Sequence, residues 1–300
     1  MTDEMDFTAA PQPEEETPAG GEIPAEPDLP AEDAAPQGPD YLRMTLTAGV
    51  APLEMRFAQI NSAYRRLPVA YRSFTYVNSV MEGVVPPEKY AYAADGTDRG
   101  ERLAKWNIRQ AVRAAQKMTE AGRHVQFITA RCPASLAAKP DLYDWMKALL
   151  AELHCDAPDK LCLEFPRTLL FEDTDAVRAG ILSMKLLKVR TLMSGCGEQD
   201  SPVTPLVHVP VDMVLLAPWL SVLADSRSKG PVVSALLAFL RALPCDVIGD
   251  GLANDDQIAA FSRADCLGYI PSAGYEGTVQ HGRLRMTLDE ATAQQEEEEI

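Results

Sequence analysis

Short apolar runs rich in β-branched residues alternate with longer runs of helical periodicity from Leu67 onward. In the first helical run, Leu103, Ile108, Ala111 and Ala115 recur near helical spacing. This alternation predicts repeated βα units with parallel strands. The predicted strands span residues 69–76, 124–129, 161–165, 189–193, 206–216, 246–249 and 266–270, and the predicted helices span 100–121, 135–154, 174–187, 229–243 and 254–262.

Alternation sustained over about 240 residues is typical of a closed barrel rather than an open doubly wound sheet. A further strand at Arg56–Ser62 leads through a turn at Tyr64–Leu67 into the strand that begins at Val69. A hairpin at this point makes one strand antiparallel to its neighbours. We therefore predict an α/β fold, a TIM-like (β/α)8 barrel with one antiparallel strand.

The acidic residues concentrate at the two ends of the chain. The net charge is −16, but residues 1–40 contain twelve Asp and Glu and no Lys or Arg, and the stretch from Asp289 contributes six more acids. Removing these charges leaves +2 for residues 41–288. We predict three regions: a disordered acidic arm rich in Pro, Ala and Glu at 1–40, a barrel at 41–284 and an acidic tail at 285–300.

The acidic arm has two interpretations, an interaction segment for a basic partner and a solubilising tail, of which the second is more common. No stretch approaches the roughly 20 apolar residues that span a bilayer. The N-terminus is acidic, where a signal peptide would be basic. These features predict a cytoplasmic protein that does not insert into a membrane.

Several kinds of chemistry find no support in the sequence. The six cysteines have no CxxC spacing, which favours free buried thiols, and the four histidines form no HxH or HExxH pattern. No Gly-rich phosphate loop follows a predicted strand. The 28 basic residues against 44 acidic ones argue against nucleic-acid binding. Asn254, at the start of the last predicted helix, is interpreted as its N-cap.

Several motifs between residues 57 and 276 resemble the EAL domain family. Phe57-Ala-Gln-Ile60 is followed, about a dozen residues later, by Tyr71-Arg-Ser-Phe74, and then by the turn Gly83-Val-Val-Pro-Pro87. Leu161-Cys-Leu-Glu-Phe-Pro-Arg167 is similar to a ligand-bearing strand of the family. The resemblance implies a barrel related to enzymes that hydrolyse the bacterial second messenger cyclic di-GMP with two divalent metal ions.

The resemblance also implies that most metal ligands are replaced. Glu164 is the retained ligand, Asp250 is a conservative replacement, and Arg72 stands where the family has its motif Glu. Mg²⁺ or Mn²⁺ is therefore not expected to bind, and no residue is expected to be catalytic. The other substituted positions expected at the barrel mouth are Phe127 at an Asn, Met193 and Ser194 at an Asp pair, Leu215 at a Lys, Ala217 at an Asp and Ala253 at a Glu.

The expected function is that of a catalytically inactive EAL domain that regulates or scaffolds through protein partners. The family suggests bacterial signalling in motility, attachment or cell development, and a homodimer is one expected form. The alternative is a receptor that binds cyclic di-GMP without cutting it, and an active phosphodiesterase comes third. A pocket for an unrelated small molecule also stays open. Arg72 either contacts a ligand phosphate or pairs with Glu164 or Asp250 across the mouth.

Overall fold

The computed structural model describes residues 53–79, 82–198 and 204–272. The predicted acidic arm and tail, and both ends of the predicted barrel region, lie outside these residues. The strands are β1 (Leu53–Ser62), β2 (Pro68–Ser79), β3 (Gly83–Val85), β4 (Ile128–Arg131), β5 (Leu161–Pro166), β6 (Arg190–Cys196), β7 (Met213–Leu216), β8 (Asp246–Leu252) and β9 (Gly268–Pro271). The α-helices are α1 (Ala91–Ala94), α2 (Asp98–Glu120), α3 (Ala134–Ala137), α4 (Leu142–Glu152), α5 (Thr174–Leu186), α6 (Pro218–Ser221), α7 (Gly230–Ala242) and α8 (Asp255–Arg263), and 3-10 helices span Pro87–Lys89, Pro158–Lys160, Arg167–Phe171 and Thr204–Val207.

Eight strands close into a barrel. Their order is β1-β9-β8-β7-β6-β5-β4-β2, and the pairing of β1 with β2 closes the circle. β1 runs antiparallel to both of its neighbours, whereas the strands from β4 to β9 pair in parallel. β3 adds an antiparallel pairing at β2, outside the closed ring. The predicted α/β barrel with one antiparallel strand is confirmed.

The barrel strands are buried on both sides, as expected for parallel strands covered by helices. In β5 the residues from Leu161 to Phe165 are all buried. Alternate residues pack in two different places, because successive side chains of a strand point to opposite faces. One set forms the outer core against the helices. The other fills the barrel interior with Ala58, Ile60, Ala70, Phe127, Cys162, Leu192, Met213, Leu215, Ile248 and Ile270.

Helix α2 shows why these sequences form helices at these places. Thr97 caps its first turn by accepting a hydrogen bond from the backbone N–H of Gly100. Its buried face includes Leu103, Ile108 and Ala111, at the spacing noted in the sequence. The predicted N-cap at Asn254 is confirmed, since its Oδ1 accepts a 2.9 Å hydrogen bond from Gln257 N–H.

Two predicted elements are not continuous in the structure. Residues 206–216 are not one strand: a 3-10 helix spans Thr204–Val207, and β7 begins only at Met213. Pro210 lies just before β7, and a proline cannot donate to the ladder of a central strand. The helix predicted at 135–154 is split into α3 and α4 on either side of Pro140, since a proline disfavours helical conformation in the preceding residue.

The cysteine prediction is confirmed, because all six are free and five are buried, with Cys155 partly exposed. Burial raises the pKa of the Cys196 thiol to about 12, so it stays protonated near neutral pH. Among the helices that the structure describes, none is both long and apolar enough to cross a membrane.

Candidate site at the carboxyl end of the barrel

A cavity of about 890 Å³ opens at the carboxyl ends of the parallel strands. This is the end at which barrels of this architecture place their functional groups. Arg72 from β2, Glu164 from β5, Ser194 from β6 and Asp250 from β8 all line it. The size lies within the usual range for small-ligand pockets, about 300–1,000 Å³.

Arg72 bridges two carboxylates inside the cavity. Its Nη2 lies 2.6 Å from Glu164 Oε1, and its Nε lies 3.0 Å from both carboxylate oxygens of Glu164. Its Nη1 donates to Asp250 Oδ2 at 2.9 Å. The predicted pairing of Arg72 across the mouth is therefore present, and it reaches both candidate partners.

Burial and charge act in opposite directions on this cluster. Only 4% of the Glu164 side chain and 18% of the Arg72 side chain are exposed. Burial alone would raise the pKa of Glu164, but the charge and hydrogen bonds of Arg72 outweigh it and hold that pKa below its ordinary value. Burial opposes the charged form of Arg72 as well, yet Glu164 and Asp250 raise its pKa above the ordinary value. Both groups are therefore ionised at neutral pH.

Neighbouring elements contact the Glu164 carboxylate and the backbone of Asp250. Thr129 on β4 donates its hydroxyl to Glu164 Oε2 at 3.1 Å. The backbone N–H of Asp250 donates to Ser221 Oγ at 3.1 Å, which ties β8 to α6. Gly251 follows Asp250 with a φ of +74°, a conformation that favours glycine, at the register shift between Asp250 and Leu252 in the β8–β9 pairing.

Two further ion pairs line the same cavity nearer its rim. Arg131 Nη2 lies 2.6 Å from Asp95 Oδ2, and Arg167 pairs with Glu198. Burial raises the pKa of Asp95, although Arg131 partly offsets that shift. Each of the three lining arginines therefore already contacts at least one carboxylate of the chain.

The structure brings some of the predicted mouth residues together and separates others. Arg72, Glu164, Asp250, Ser194 and Leu215 line the cavity. The remaining four positions do not. They are Phe127, Met193, Ala217 and Ala253.

Strand geometry explains why these four side chains do not line the cavity. Phe127 lies just before β4, so its fully buried ring fills the barrel interior below the mouth. Met193 points to the opposite side of β6 from Ser194 and packs in the outer core. Ala217 is buried at the start of α6, and Ala253 lies beyond β8, where its N–H donates to Gln257 Oε1.

The sequence interpretation missed Thr129 and Arg131. Both continue the two-residue alternation that begins at Phe127, which directs them to the same side of the strand. Arg131 is the register partner of Glu164 in the β4–β5 pairing. The alternation was present in the sequence, but the strand was predicted to end at residue 129, which left Arg131 outside it.

The described part of the cavity shows no cluster of ligands of the size that a two-metal centre would need. Hard divalent cations require several oxygen ligands. Within residues 53–79, 82–198 and 204–272, no group of three or more His, Cys, Asp or Glu side chains could hold a metal ion. At the centre of the cavity, the guanidinium of Arg72 contacts both Glu164 and Asp250.

These features define a closed α/β barrel with a charged cavity at its carboxyl end. The EAL domain family matches residues 50–269, which is most of the chain. The chain therefore belongs to the EAL domain family. No curated protein matches it.

Solved structures share the fold at low sequence identity. The EAL enzyme Bd1971, in a form bound to cAMP and cyclic di-GMP, superposes with a TM-score of 0.73 and 12% identity, over 84% of this chain and 67% of that one. The PaMucR phosphodiesterase in complex with c-di-GMP superposes with a TM-score of 0.70 and 18% identity, over 83% of this chain and 97% of that one. The FimX EAL domain from Pseudomonas aeruginosa, bound to c-di-GMP, superposes with a TM-score of 0.68 and 14% identity, over 81% of this chain and 99% of that one.

Proposed function

We propose that this chain is a catalytically inactive EAL domain that regulates or scaffolds through protein partners in bacterial signalling related to cyclic di-GMP. The observation that carries the proposal is the position of Arg72. Its guanidinium contacts both Glu164 and Asp250, the two carboxylates expected to remain from the family's metal site. A positive side chain at this place competes with any metal ion for the same oxygens.

The family reaction places strong demands on such a cavity. Two-metal hydrolysis of a phosphodiester needs dications about 4 Å apart, one to activate water and both to stabilise charge on the attacking and leaving oxygens. Glu164 and Asp250 supply two carboxylates, and both are already neutralised in part by Arg72. Ser194 and Leu215, at two other ligand positions in the cavity, bring no charged oxygen, and the lining carboxylates Asp95 and Glu198 are paired with arginines nearer the rim.

A hydrolysis assay tests this proposal. The purified full chain is incubated with cyclic di-GMP and Mg²⁺ or Mn²⁺, and products are separated by chromatography. We expect no linear dinucleotide. Glu164→Gln is the control, because it removes the retained carboxylate. Product that forms with the wild type and disappears in Glu164→Gln would contradict the proposal, whereas product common to both comes from a contaminating enzyme.

The second candidate function is a receptor that binds cyclic di-GMP without cutting it. The cavity volume and the three lining arginines favour it, as does the presence of this ligand in the PaMucR and FimX complexes. Against it, Arg72, Arg131 and Arg167 already pair with carboxylates of the chain. A dianionic ligand would have to displace those partners, which costs part of the binding energy.

Calorimetry with cyclic di-GMP distinguishes the two candidates. We expect no binding heat from the full chain at high micromolar ligand. Micromolar or tighter binding that Arg72→Met weakens at least tenfold would instead establish the receptor. Arg241→Met, which changes an arginine outside the cavity, should leave any binding unchanged.

Exposed apolar side chains on the barrel helices are positions at which the proposed partner binding could be tested. Leu186 on α5 is 77% exposed and Val232 on α7 is 67% exposed, and Trp219 on α6 is half-exposed. Such residues are candidates for partner contacts when they cluster. Light scattering tests for a homodimer, and affinity capture with the full chain and with residues 41–300 tests whether the acidic arm contributes. A monomer that captures no partner in either form would contradict this part of the proposal.

A further inference from the structure

Glu164 and Asp250 share one positive group, the guanidinium of Arg72. We propose that Arg72 is a built-in cation, which supplies from the chain itself the positive charge that a bound metal ion would otherwise supply to these carboxylates. The inference deepens the proposed function, because a resident cation explains why the barrel mouth can be stable without a metal. Its test measures stability, so it can fail while the hydrolysis result stands.

The first step of the argument is burial. Glu164 is nearly inaccessible, and four-fifths of the Asp250 side chain is buried. Two carboxylates this close in a partly dry cavity repel each other, and burial of an unpaired charge is strongly unfavourable. Thr129 donates one hydrogen bond to Glu164, but a hydroxyl brings no charge. The cluster therefore depends on a cation for its stability.

The second step is the geometry of the guanidinium. One edge of Arg72, formed by Nε and Nη2, faces Glu164, while Nη1 on the other side reaches Asp250. The planar fork presents two donors to one carboxylate and a third to the other in a fixed geometry, which a point-like ammonium does not provide. The guanidinium carbon also lies 5.0 Å from the centre of the Phe74 ring, a cation–π contact that helps to hold it in place.

The third step concerns what remains when Arg72 is removed. Without Arg72, Glu164 and Asp250 lose the guanidinium that both of them contact, while the Thr129 hydroxyl stays beside Glu164. Oxygen atoms of this kind are what hard divalent cations bind. A chain without the guanidinium should then gain stability from a divalent cation, whereas the wild type should not.

The experiment measures thermal unfolding of the full chain with and without millimolar Mn²⁺. We expect the wild-type Tm to be unaffected by the ion. Arg72→Met should lower Tm by roughly 6–20 °C, as expected for a broken buried ion pair, and Mn²⁺ should restore part of the loss in a saturable manner. Arg241→Met is the matched control, because Arg241 also contacts two carboxylates but at the opposite end of the barrel. It should show neither effect.

A charge-neutral variant separates loss of charge from loss of packing. Arg72→Met combined with Glu164→Gln and Asp250→Asn should recover much of the Tm that Arg72→Met loses. Its Tm should not change with Mn²⁺. If Arg72→Met alone does not fold, this triple variant carries the test, and its failure to fold would overturn the proposal. A wild-type Tm that rises with Mn²⁺ would overturn it too, as would Arg72→Met being as stable as the wild type.

Discussion

The two ends of the barrel carry similar ionic groups in different surroundings. At the carboxyl end Arg72 contacts Glu164 and Asp250, and at the amino end Arg241 contacts Asp246 and Asp265. Strand β8 supplies one partner to each arginine, since it begins at Asp246 and passes Asp250 near its other end. The motif of one arginine and two carboxylates is therefore repeated on opposite sides of one core.

The difference lies in exposure to water. The side chains around Arg72 are 4–18% exposed, whereas those around Arg241 are 32–67% exposed. Both members of an exposed ion pair are well hydrated whether or not they are paired, so the pair contributes little to stability. Removing one member of a buried ion pair is strongly destabilising, because the remaining charge is buried without its hydration. The same residue types should therefore matter much more at the carboxyl end.

The largest expected difference comes from removing one carboxylate at each end. Glu164→Ala removes one of the two carboxylates that contact the buried Arg72 guanidinium, and should lower the free energy of unfolding by about 3–5 kcal/mol. Asp246→Ala should lower it by roughly 1 kcal/mol or less. Urea unfolding followed by circular dichroism gives both values. Equal losses at the two ends would refute the role assigned to burial.

A smaller effect, on the stability that Glu164 contributes, should appear as the pH is lowered. The pKa of Glu164 is lowered in the folded chain and ordinary in the unfolded one, where it is about 4.5. Its ionised form therefore contributes stability that is complete above about pH 4.5 and is lost as the pH falls through the lower folded value.

The stability advantage of the wild type over Glu164→Gln should be constant at higher pH. Below about pH 4.5 it should shrink by at most about 1.4 kcal/mol per pH unit, the limit for one proton. Urea unfolding of both chains from pH 7 to pH 3 measures this. An advantage that grows on acidification would show that Glu164 is protonated in the folded chain.

The smallest effect is expected from Arg241→Met at the exposed end. Its Tm should stay within about 3 °C of the wild type at low salt. In 1 M NaCl, where the screening length is about 3 Å, the remaining difference should disappear. Thermal unfolding at the two salt concentrations tests this. A large loss of Tm that persists in high salt would show that Arg241 contributes as much to stability as Arg72.

The sequence allowed the barrel to be predicted because local patterns repeat along it. The hairpin from β1 to β2 followed from two apolar runs separated by a short turn, and it is present. The candidate residues Arg72, Glu164 and Asp250 were placed correctly at one end, since the carboxyl ends of parallel strands converge. Errors arose where local signals were weak, as at β4. This strand begins only at Ile128, so Phe127 precedes it and lies in the barrel interior.

The amino-acid sequence by itself determined the strand–helix alternation, the helix cap at Asn254 and the kind of residue at each strand end, because these depend on neighbours in the chain. Only the tertiary structure decided that Arg72 contacts both carboxylates at once. Arg72 is 92 residues from Glu164 and 178 from Asp250 along the chain. Closure of the barrel brings these positions within hydrogen-bond distance and removes them from water, and that burial makes their charges interdependent.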